Sequence, residues 1–338
     1  MSRIAVIGAG SWGTALALVL ARRGGHSITL WSHTQLVADA IEQTRENSIY
    51  LPKLRIPESV RITTNLEEAV GRAEILILVV PSEHLRGICC AMAPLLNRDQ
   101  LIVNATKGIE EDTCLRMTQV IAEVLATHHL DLPCGVLSGP SFAPEVASGS
   151  PTAITIASSD PSIAARVQQE FAGPTLRLYT NDDVVGVELG GALKNVIAIA
   201  AGVTYGLELG HNCVAALITR GIAEITRLAV ACGGRQETLA GLSGLGDLVL
   251  TCTGALSRNR SVGLELGKGR GLQEILADMH GRVAEGVRTT DAALGVARKM
   301  GVEMPITEQV AAVLHEQISA KEAIRELMAR PGREEFSH

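Results

Sequence analysis

Apolar residues in the first half of the chain form short runs that alternate with segments of helical periodicity. The run from Glu74 to Val80 is apolar after its first residue and stops at Pro81, as in a parallel strand covered on both faces. This alternation predicts an α/β fold with a doubly wound parallel sheet of the Rossmann type. Strands are predicted at 4–7, 27–31, 74–80, 101–105, 135–138, 152–157 and 176–179. Because Pro52 and Pro57 interrupt it, 47–64 is predicted as a loop with one extended piece at 60–63.

The strand pattern disappears after Asn181. Asn181 is a suitable N-cap, and Asp182 and Asp183 would then lie in the first turn, where the helix dipole favours carboxylates. Small and aliphatic residues at helical spacing follow to Cys232, and the remainder is rich in helix patterns. We therefore predict a dinucleotide-binding domain at 1–181 and an all-α substrate domain at 182–338.

The first predicted strand leads directly into a glycine-rich turn and a helix. Gly8 suits a tight turn, Gly10 allows backbone to approach a pyrophosphate, and Gly13 allows close packing of helix on strand. The helix N-terminus adds partial positive charge for the phosphates. Alone, the motif could be a flexible loop, but the strand and helix on either side favour dinucleotide binding.

Composition narrows the class of protein. Hydrophobic residues make up 46% of the chain and aromatic residues only 2%, and the net charge is −6, which argues against a nucleic-acid partner. No apolar run reaches the ~18 residues that would span a bilayer, so we expect no stable membrane insertion. The seven cysteines lack CxxC spacing, which predicts reduced, mostly buried thiols and a cytoplasmic location. No residues have metal-ligand spacing, so no metal is expected.

Two lysines are candidates for chemistry. Lys194 lies within the first helix after the boundary, near Gly190 and Gly191; it either extends to solvent or is held in a pocket as an acid/base. The paired glycines would let a ligand approach that helix. Lys107 follows the strand 101–105 at the edge where doubly wound sheets bind ligands, although an exposed turn lysine is equally compatible.

Three further segments carry suitable donors. Gly139-Pro140-Ser141 ends another strand and offers backbone N–H groups and a hydroxyl, or is a plain turn. A glycine-rich loop at 240–247 lacks the ending of a P-loop. The segment 257–260, Ser-Arg-Asn-Arg, clusters donors suited to a phosphate, or is a solvated basic turn.

With these motifs in order, the chain resembles the bacterial NAD(P)-dependent glycerol-3-phosphate dehydrogenase family. The resemblance runs through 8–14, 105–108, 138–143, 186–189, 193–195, 244–248 and 257–260. It implies reduction of dihydroxyacetone phosphate, a small phosphorylated three-carbon substrate, to sn-glycerol 3-phosphate for phospholipid synthesis, by a homodimer that uses NADP(H) or NAD(H).

The resemblance also assigns roles to individual residues. Lys194 matches the general acid/base, Lys107 a lysine at both substrate and cofactor, and Asp247 a residue at the glycerol end. Substrate contacts match Gly139, Ser141, Ser257, Arg258 and Asn259. Cofactor positions match Gly8, Gly10, Ser11, Trp12, Gly13, His33, Ala143, Arg258, Val283 and Glu285.

Two other functions share part of this pattern. A ketopantoate reductase, or another hydroxyacid dehydrogenase with a helical second domain, would have the same start and an interior lysine, but no need for Ser257, Arg258 and Asn259. A non-catalytic dinucleotide sensor would keep the glycines without Lys107 and Lys194. Ser32-His33 stands after the second strand where many members carry arginine, and no carboxylate there excludes NADPH. We expect use of both cofactors, with NADPH modestly favoured.

Overall fold

A computed structural model describes residues 1–279, 284–332 and 334–335. Its centre is an eight-stranded sheet in the order β10-β9-β8-β7-β6-β1-β2-β5, and β3 and β4 form a separate antiparallel hairpin. The strands are β1 Ser2–Ile7, β2 His26–Trp31, β3 Glu46–Asn47, β4 Leu51–Arg55, β5 Val60–Thr63, β6 Ile75–Leu78, β7 Leu101–Asn104, β8 Cys134–Ser138, β9 Thr152–Ala157 and β10 Leu176–Asn181.

Helices cover both faces of this sheet, as the apolar strands predict. Ile4 and Val6 of β1 face one apolar core, and Ala5 and Ile7 face the other. The helices of this half are α1 Ser11–Arg23, α2 Gln35–Thr44, α3 Leu66–Gly71, α4 Ser82–Met92, α5 Met117–Thr127, α6 Ala143–Ser148 and α7 Pro161–Phe171. Helices α3, α4 and α5 line one core, and the other four line the opposite core. The prediction of a doubly wound Rossmann-type sheet is confirmed.

The sheet departs from the prediction at one pair of strands. β8 and β9 are antiparallel, so β9 and β10 run against the other six strands. The connection at 139–151 contains only the short helix α6, which packs against α1. The chain therefore enters β9 at the same edge of the sheet at which it leaves β8.

Local predictions were wrong in three further places. The segment 47–64 contains the hairpin strand β4 as well as the expected β5, because the prolines stand in an edge hairpin that tolerates them. Helices α6 and α7 were not expected. Asn181 is the last residue of β10 rather than an N-cap; Asp183 caps the next helix, where its Oδ1 accepts from Gly186 N at 2.8 Å.

The second half is helical throughout its described residues. Its elements are α8 Val184–Gly206, α9 Gly210–Ala231, α10 Gln236–Leu239, a π-helical turn Leu242–Gly246, α11 Asp247–Thr253, α12 Arg258–Gly267, α13 Leu272–Asp278, α14 Glu285–Met300, α15 Pro305–Leu314 and α16 Ala320–Ala329. Helix α8 runs through the middle of this core. Gly263 allows α12 to contact α8 closely, because a Cβ there would lie 1.9 Å from Ile199 O.

Helix α8 is long and apolar enough to cross a membrane by length and composition, contrary to the expectation that no such run exists. Its 18-residue window has a mean hydropathy of 1.6 and is 89% buried inside the protein, as in the core helix of a packed domain. The cysteines also differ in part from expectation. All seven are free, as predicted, but only Cys89 and Cys252 are buried.

Candidate active site

The glycine-rich turn between β1 and α1 has the shape that its sequence predicts. Gly8 has φ +125°, and a Cβ there would lie 2.3 Å from Val79 O. A Cβ on Gly13 would lie 1.9 Å from Gly8 O, so only glycine allows α1 to begin so close to the strand. Gly10 precedes α1 without a side-chain cap, and no acidic residue lies in the first turn, which contains Ser11 and Trp12. The turn therefore fits a dinucleotide pyrophosphate.

The end of β2 lies beside this turn, since Gly8 N donates to Trp31 O at 3.1 Å. His33 is exposed there, with its ring centroid 5.9 Å from that of Trp31. Ser32 is buried, and its hydroxyl donates to Thr34 O at 2.9 Å within its own turn. Of these two side chains, His33 is the one that faces solvent.

Lys107, Asp247 and Lys194 form one ion-paired cluster. Lys194 Nζ donates to Asp247 Oδ1 at 2.7 Å, and Lys107 Nζ donates to Asp247 Oδ2 at 2.6 Å. Asp247 is 1% exposed and Lys194 is 7% exposed, so Lys194 does not extend to solvent. Lys107 comes from the carboxyl edge of β7, and the other two come from α8 and α11. The two lysines thus share one carboxylate, with one oxygen bonded to each.

Additional acceptors orient the two ammonium groups. Lys194 Nζ also donates to Thr251 Oγ1 at 2.8 Å, and Lys107 Nζ donates to Gly139 O at 3.3 Å. Thr251 lies one turn after Asp247 on α11, and its hydroxyl donates back to Asp247 O at 2.6 Å. Thr251 was not predicted as part of the site. Its i,i+4 spacing from Asp247 is visible in the sequence, but that spacing points to a function only once the position of Lys194 is known.

Gly190 and Gly191 allow neighbouring elements of the protein to approach α8 closely. A Cβ on Gly190 would lie 2.6 Å from Ser243 O in the π-helical turn that leads to Asp247. A Cβ on Gly191 would lie 2.5 Å from Ser138 Oγ and 3.9 Å from Lys107 Cδ. The expectation that a ligand approaches α8 at this pair stays a prediction. The glycines make room for the elements that carry Asp247 and Lys107.

The electrostatics of the cluster favour proton transfer. Burial lowers the pKa of Lys194 to about 8; Asp247 opposes that shift, and the positive charge of Lys107 reinforces it. An ammonium with a pKa near the working pH is close to its best value as a general acid or base.

Gly139 and Ser141 lie beside Lys107. Gly139 has φ +137°, and a Cβ there would lie 3.0 Å from Ile154 Cα. Ser141 Oγ donates to Gly139 O at 2.9 Å, so that carbonyl accepts from both Ser141 and Lys107. Ala143 follows as the first residue of α6.

The predicted phosphate segment forms the start of α12. Ser257 is its N-cap, and its Oγ accepts from Arg260 N at 3.2 Å. Asn259 Nδ2 donates to Asn195 Oδ1 at 3.0 Å, which connects this helix start to the residue after Lys194. First-turn N–H groups and the Arg258 guanidinium are suitable donors to an anion, because helix N-termini lack intrahelical acceptors.

Glu285 brings the start of α14 to the sheet. Ser82 Oγ donates to Glu285 Oε2 at 2.9 Å, and Gly286 N donates to Asn259 Oδ1 at 2.9 Å. Burial raises the pKa of Glu285 to about 7, with Ser82 and Arg258 lowering it and Glu83 raising it. Ser82 was not predicted as part of the site. Val283, a predicted cofactor position, lies outside the described residues.

No group of three or more histidine, cysteine, aspartate or glutamate side chains suited to a metal ion occurs within 1–279, 284–332 and 334–335. The cations of the site are instead lysines and arginines.

Two family models match nearly the whole chain. Residues 3–164 match the N-terminus of NAD-dependent glycerol-3-phosphate dehydrogenase, and residues 183–325 match its C-terminus. The chain belongs to the NAD-dependent glycerol-3-phosphate dehydrogenase family. A relative from Koribacter versatilis (strain Ellin345), named glycerol-3-phosphate dehydrogenase [NAD(P)+], is 62% identical over 331 residues that cover 98% of each chain.

Solved structures agree with this family membership. The crystal structure of glycerol-3-phosphate dehydrogenase from Coxiella burnetii superposes with a TM-score of 0.93 at 42% identity, over 97% of this chain and 99% of that one. A ketopantoate reductase from Ralstonia eutropha JMP134 superposes with a TM-score of 0.61 at 17% identity, over 95% of this chain and 99% of that one. That second likeness extends to the fold alone.

Proposed function

We propose that this glycerol-3-phosphate dehydrogenase family member reduces dihydroxyacetone phosphate to sn-glycerol 3-phosphate with NADPH or NADH, and so supplies glycerophospholipid synthesis. The observation that carries the proposal is the Lys107–Asp247–Lys194 cluster at the carboxyl edge of the sheet, in which Asp247 and Lys194 are buried. It lies where the β7 edge meets α8 and α11, and Asn195 connects it to the start of α12.

When bound, NADPH or NADH would supply the hydride that the C2 carbon of the substrate receives. We propose that the cofactor is held by Gly8, Gly10, Ser11, Trp12, Gly13, His33, Lys107, Ala143, Arg258, Val283 and Glu285. The open first turn of α1 supports this assignment for the pyrophosphate.

Lys194 is the proposed general acid. Its ammonium donates a proton to the C2 oxygen, which becomes the hydroxyl of glycerol 3-phosphate, and the neutral amine is left behind. In the reverse reaction the neutral amine accepts that proton. The pKa of about 8 leaves Lys194 mostly protonated at pH 7, ready for the reduction.

Lys107 and Asp247 complete the proposed reaction site. The second ammonium stabilises negative charge as it develops on the C2 oxygen. Because both oxygens of Asp247 accept from lysines, we propose that it holds the two ammonium groups on one side of the substrate, in addition to its predicted contact at the glycerol end. Gly139 and Ser141, which lie beside Lys107, are proposed substrate contacts.

We propose that the substrate phosphate binds to Ser257, Arg258 and Asn259. Helix N-termini bind phosphates through backbone N–H groups, and arginine adds charge-assisted hydrogen bonds. The link from Asn259 to Asn195 supports this assignment, because it fixes the distance between the phosphate end and the reacting end of the substrate.

Both nicotinamide cofactors fit the proposal. The turn after β2 carries no carboxylate to repel a 2′-phosphate, and exposed His33 can donate to one, whereas the Ser32 hydroxyl is already bonded within its turn. We therefore expect NADPH to be modestly favoured. The ratio of kcat/KM for NADPH and NADH measures this preference; a strong preference for NADH would contradict it.

We further propose a cytoplasmic homodimer. The seven free cysteines support a reducing compartment. The dimer is an expectation from the family resemblance, and light scattering after size-exclusion chromatography would detect it as twice the mass of one chain.

The test of the proposed function is the oxidation of NADPH by the purified protein with two substrates. Dihydroxyacetone phosphate should support turnover and ketopantoate should not, because the α12 start offers a phosphate site that ketopantoate leaves unused. Turnover with ketopantoate alone would contradict the proposal.

A further inference from the structure

The β3–β4 hairpin, which the sequence did not predict, lies against the glycine-rich turn. Asn47 connects the two. Its Nδ2 donates to Ala9 O at 2.8 Å and to Thr14 Oγ1 at 2.8 Å, and the residue is 1% exposed. One side-chain amide therefore bonds both the turn before α1 and the first helical turn after it.

The same amide also orders its own hairpin. Asn47 Oδ1 accepts from Tyr50 N at 3.2 Å, and Ser11 Oγ donates to Tyr50 O at 2.8 Å. At the base of the hairpin, Arg45 Nη2 donates to Val60 O at 2.9 Å. All three hydrogen-bonding groups of the Asn47 side chain are thus occupied, at one point of contact between hairpin and turn.

Hydrogen bonds, more than the burial of apolar side chains, keep the tip of this hairpin in position. Ile49 is 36% exposed and Tyr50 is 38% exposed, whereas Leu51 at the start of β4 is buried. A turn with exposed apolar side chains keeps its position through its polar contacts, and Asn47 supplies three of them.

The bond to Ala9 O has a specific consequence for the glycine-rich turn. A trans peptide is rigid and planar, so its C=O and the following N–H point in opposite directions. Fixing the Ala9 carbonyl on the Asn47 side therefore fixes the N–H of Gly10 on the opposite side, away from the hairpin. Gly10 is the residue that precedes α1 without a side-chain cap.

We propose that Asn47 is a positioning residue for the dinucleotide: it holds the Ala9–Gly10 peptide so that the turn is ready for phosphate before the cofactor arrives. This inference rests on the proposed function, since it requires that the turn binds NADPH or NADH. A preformed donor set costs less ordering on binding, so losing the anchor weakens affinity.

The test compares Asn47→Asp with Gln100→Glu, a matched change elsewhere in the same half. Gln100 Nε2 donates to Val70 O at 2.8 Å and to Ala73 O at 2.9 Å, and Gln100 Oε1 accepts from Asn97 N at 2.9 Å. Gln100 is also 1% exposed, but it precedes β7 at the amino edge of the sheet. In both variants a carboxyl group replaces a side-chain amide that makes three hydrogen bonds.

The readouts are the dissociation constant of NADPH from fluorescence titration, Tm, and the steady-state constants. Asn47→Asp should raise the Kd and the KM for NADPH about tenfold or more, with kcat at saturating NADPH and KM for dihydroxyacetone phosphate within about twofold of wild type. Gln100→Glu should lower Tm to a similar extent and leave the Kd within about twofold.

Thr14→Val removes only the hydroxyl that accepts from Asn47 and keeps the shape of the side chain. This variant replaces Asn47→Asp in the test if Asn47→Asp does not fold. It should raise the Kd about threefold or more. An unchanged Kd in the folded Asn47 variant, or in Thr14→Val, would overturn the inference, as would equal increases in the Asn47 and Gln100 variants. A wild-type protein that binds neither NADPH nor NADH would contradict the proposed function itself.

Discussion

At the scale of single residues, the site depends on one buried carboxylate that serves two lysines. Asp247 is almost fully enclosed, and an unpaired carboxylate there would be costly, so both ammonium groups stabilise it. In return it keeps Lys194 charged in spite of burial, at a pKa of about 8. The charge state of Lys194 is the property that experiment can follow.

The pH dependence of the two reaction directions should therefore have opposite signs. Reduction requires protonated Lys194, so kcat/KM for dihydroxyacetone phosphate should be level below about pH 8 and fall about tenfold per unit above it. Oxidation of glycerol 3-phosphate requires the neutral amine, so its kcat/KM should rise through the same pH and then level off. Profiles in both directions that rise together would contradict this role for Lys194.

Arg258 provides a second test at this scale. Arg258→Ala should cost at least about 2 kcal/mol in kcat/KM for dihydroxyacetone phosphate, because a charge-assisted hydrogen bond to the phosphate is lost. Free dihydroxyacetone, which has no phosphate, is the control substrate and should lose much less. Equal losses on both substrates would place the effect of Arg258 in the cofactor site or the fold.

The sequence and the resemblance identified Lys107, Lys194 and Asp247 but not Thr251 or Ser82. Lys107 and Lys194 stand out because a strand edge and an apolar helix face are unusual places for lysine. Thr251 and Ser82 do not, because a helical threonine and a serine after proline are common in any protein. Their roles depend on the packing of α11 on α8 and of α14 on the sheet, which no local pattern records.

At the scale of elements, polar groups inside the helical half fix where helices begin. Glu224 on α9 is 1% exposed and accepts from Ile306 N and Thr307 N, both at 2.9 Å, and from Thr307 Oγ1 at 2.7 Å. These donors belong to the first turn of α15, which otherwise lacks a side-chain cap. A carboxylate from a neighbouring helix thus performs the capping.

Glu224→Ala should lower the free energy of unfolding by about 2–4 kcal/mol, since it leaves buried N–H groups unpaired. Thr219→Ala on the exposed side of the same helix is the control and should change it by less than about 0.5 kcal/mol. Denaturant titrations of both variants measure the difference. Comparable small effects in the two variants would show that α15 does not depend on this cap.

Element predictions succeeded for the strands of the main sheet, including its edge strands β5 and β10, and failed for the separate hairpin. The central strands β6 and β7 are buried on both faces, so continuous apolar runs identify them. The hairpin strand β4 has exposed residues and a proline, and its hydrogen bonds come from β3 rather than from the main sheet. The antiparallel direction of β9 was not predicted, because the apolar pattern of a buried strand does not record which way the strand runs.

At the scale of the whole molecule, contacts join the two halves around the site. Lys107 and Asp247 pair across them, Arg116 bonds Glu188, and Ser82 bonds Glu285. The sheet half carries the predicted cofactor turn, and the helical half carries Lys194. We predicted a boundary after residue 181, and the two family models stop and start at residues 164 and 183 on either side of it.

Because the glycine-rich turn and Lys194 lie in different halves, we expect a substitution at Lys194 to change the chemical step without changing cofactor affinity. The central claim is that Lys194 supplies the proton in a reaction whose cofactor binds through its pyrophosphate at the glycine-rich turn of the other half. The most direct measurement is Lys194→Ala, assayed for kcat with dihydroxyacetone phosphate and for the Kd of NADPH. We predict that kcat falls about 10²–10⁴-fold while the Kd stays within about twofold of wild type. A variant that keeps more than about a tenth of wild-type kcat would contradict the account.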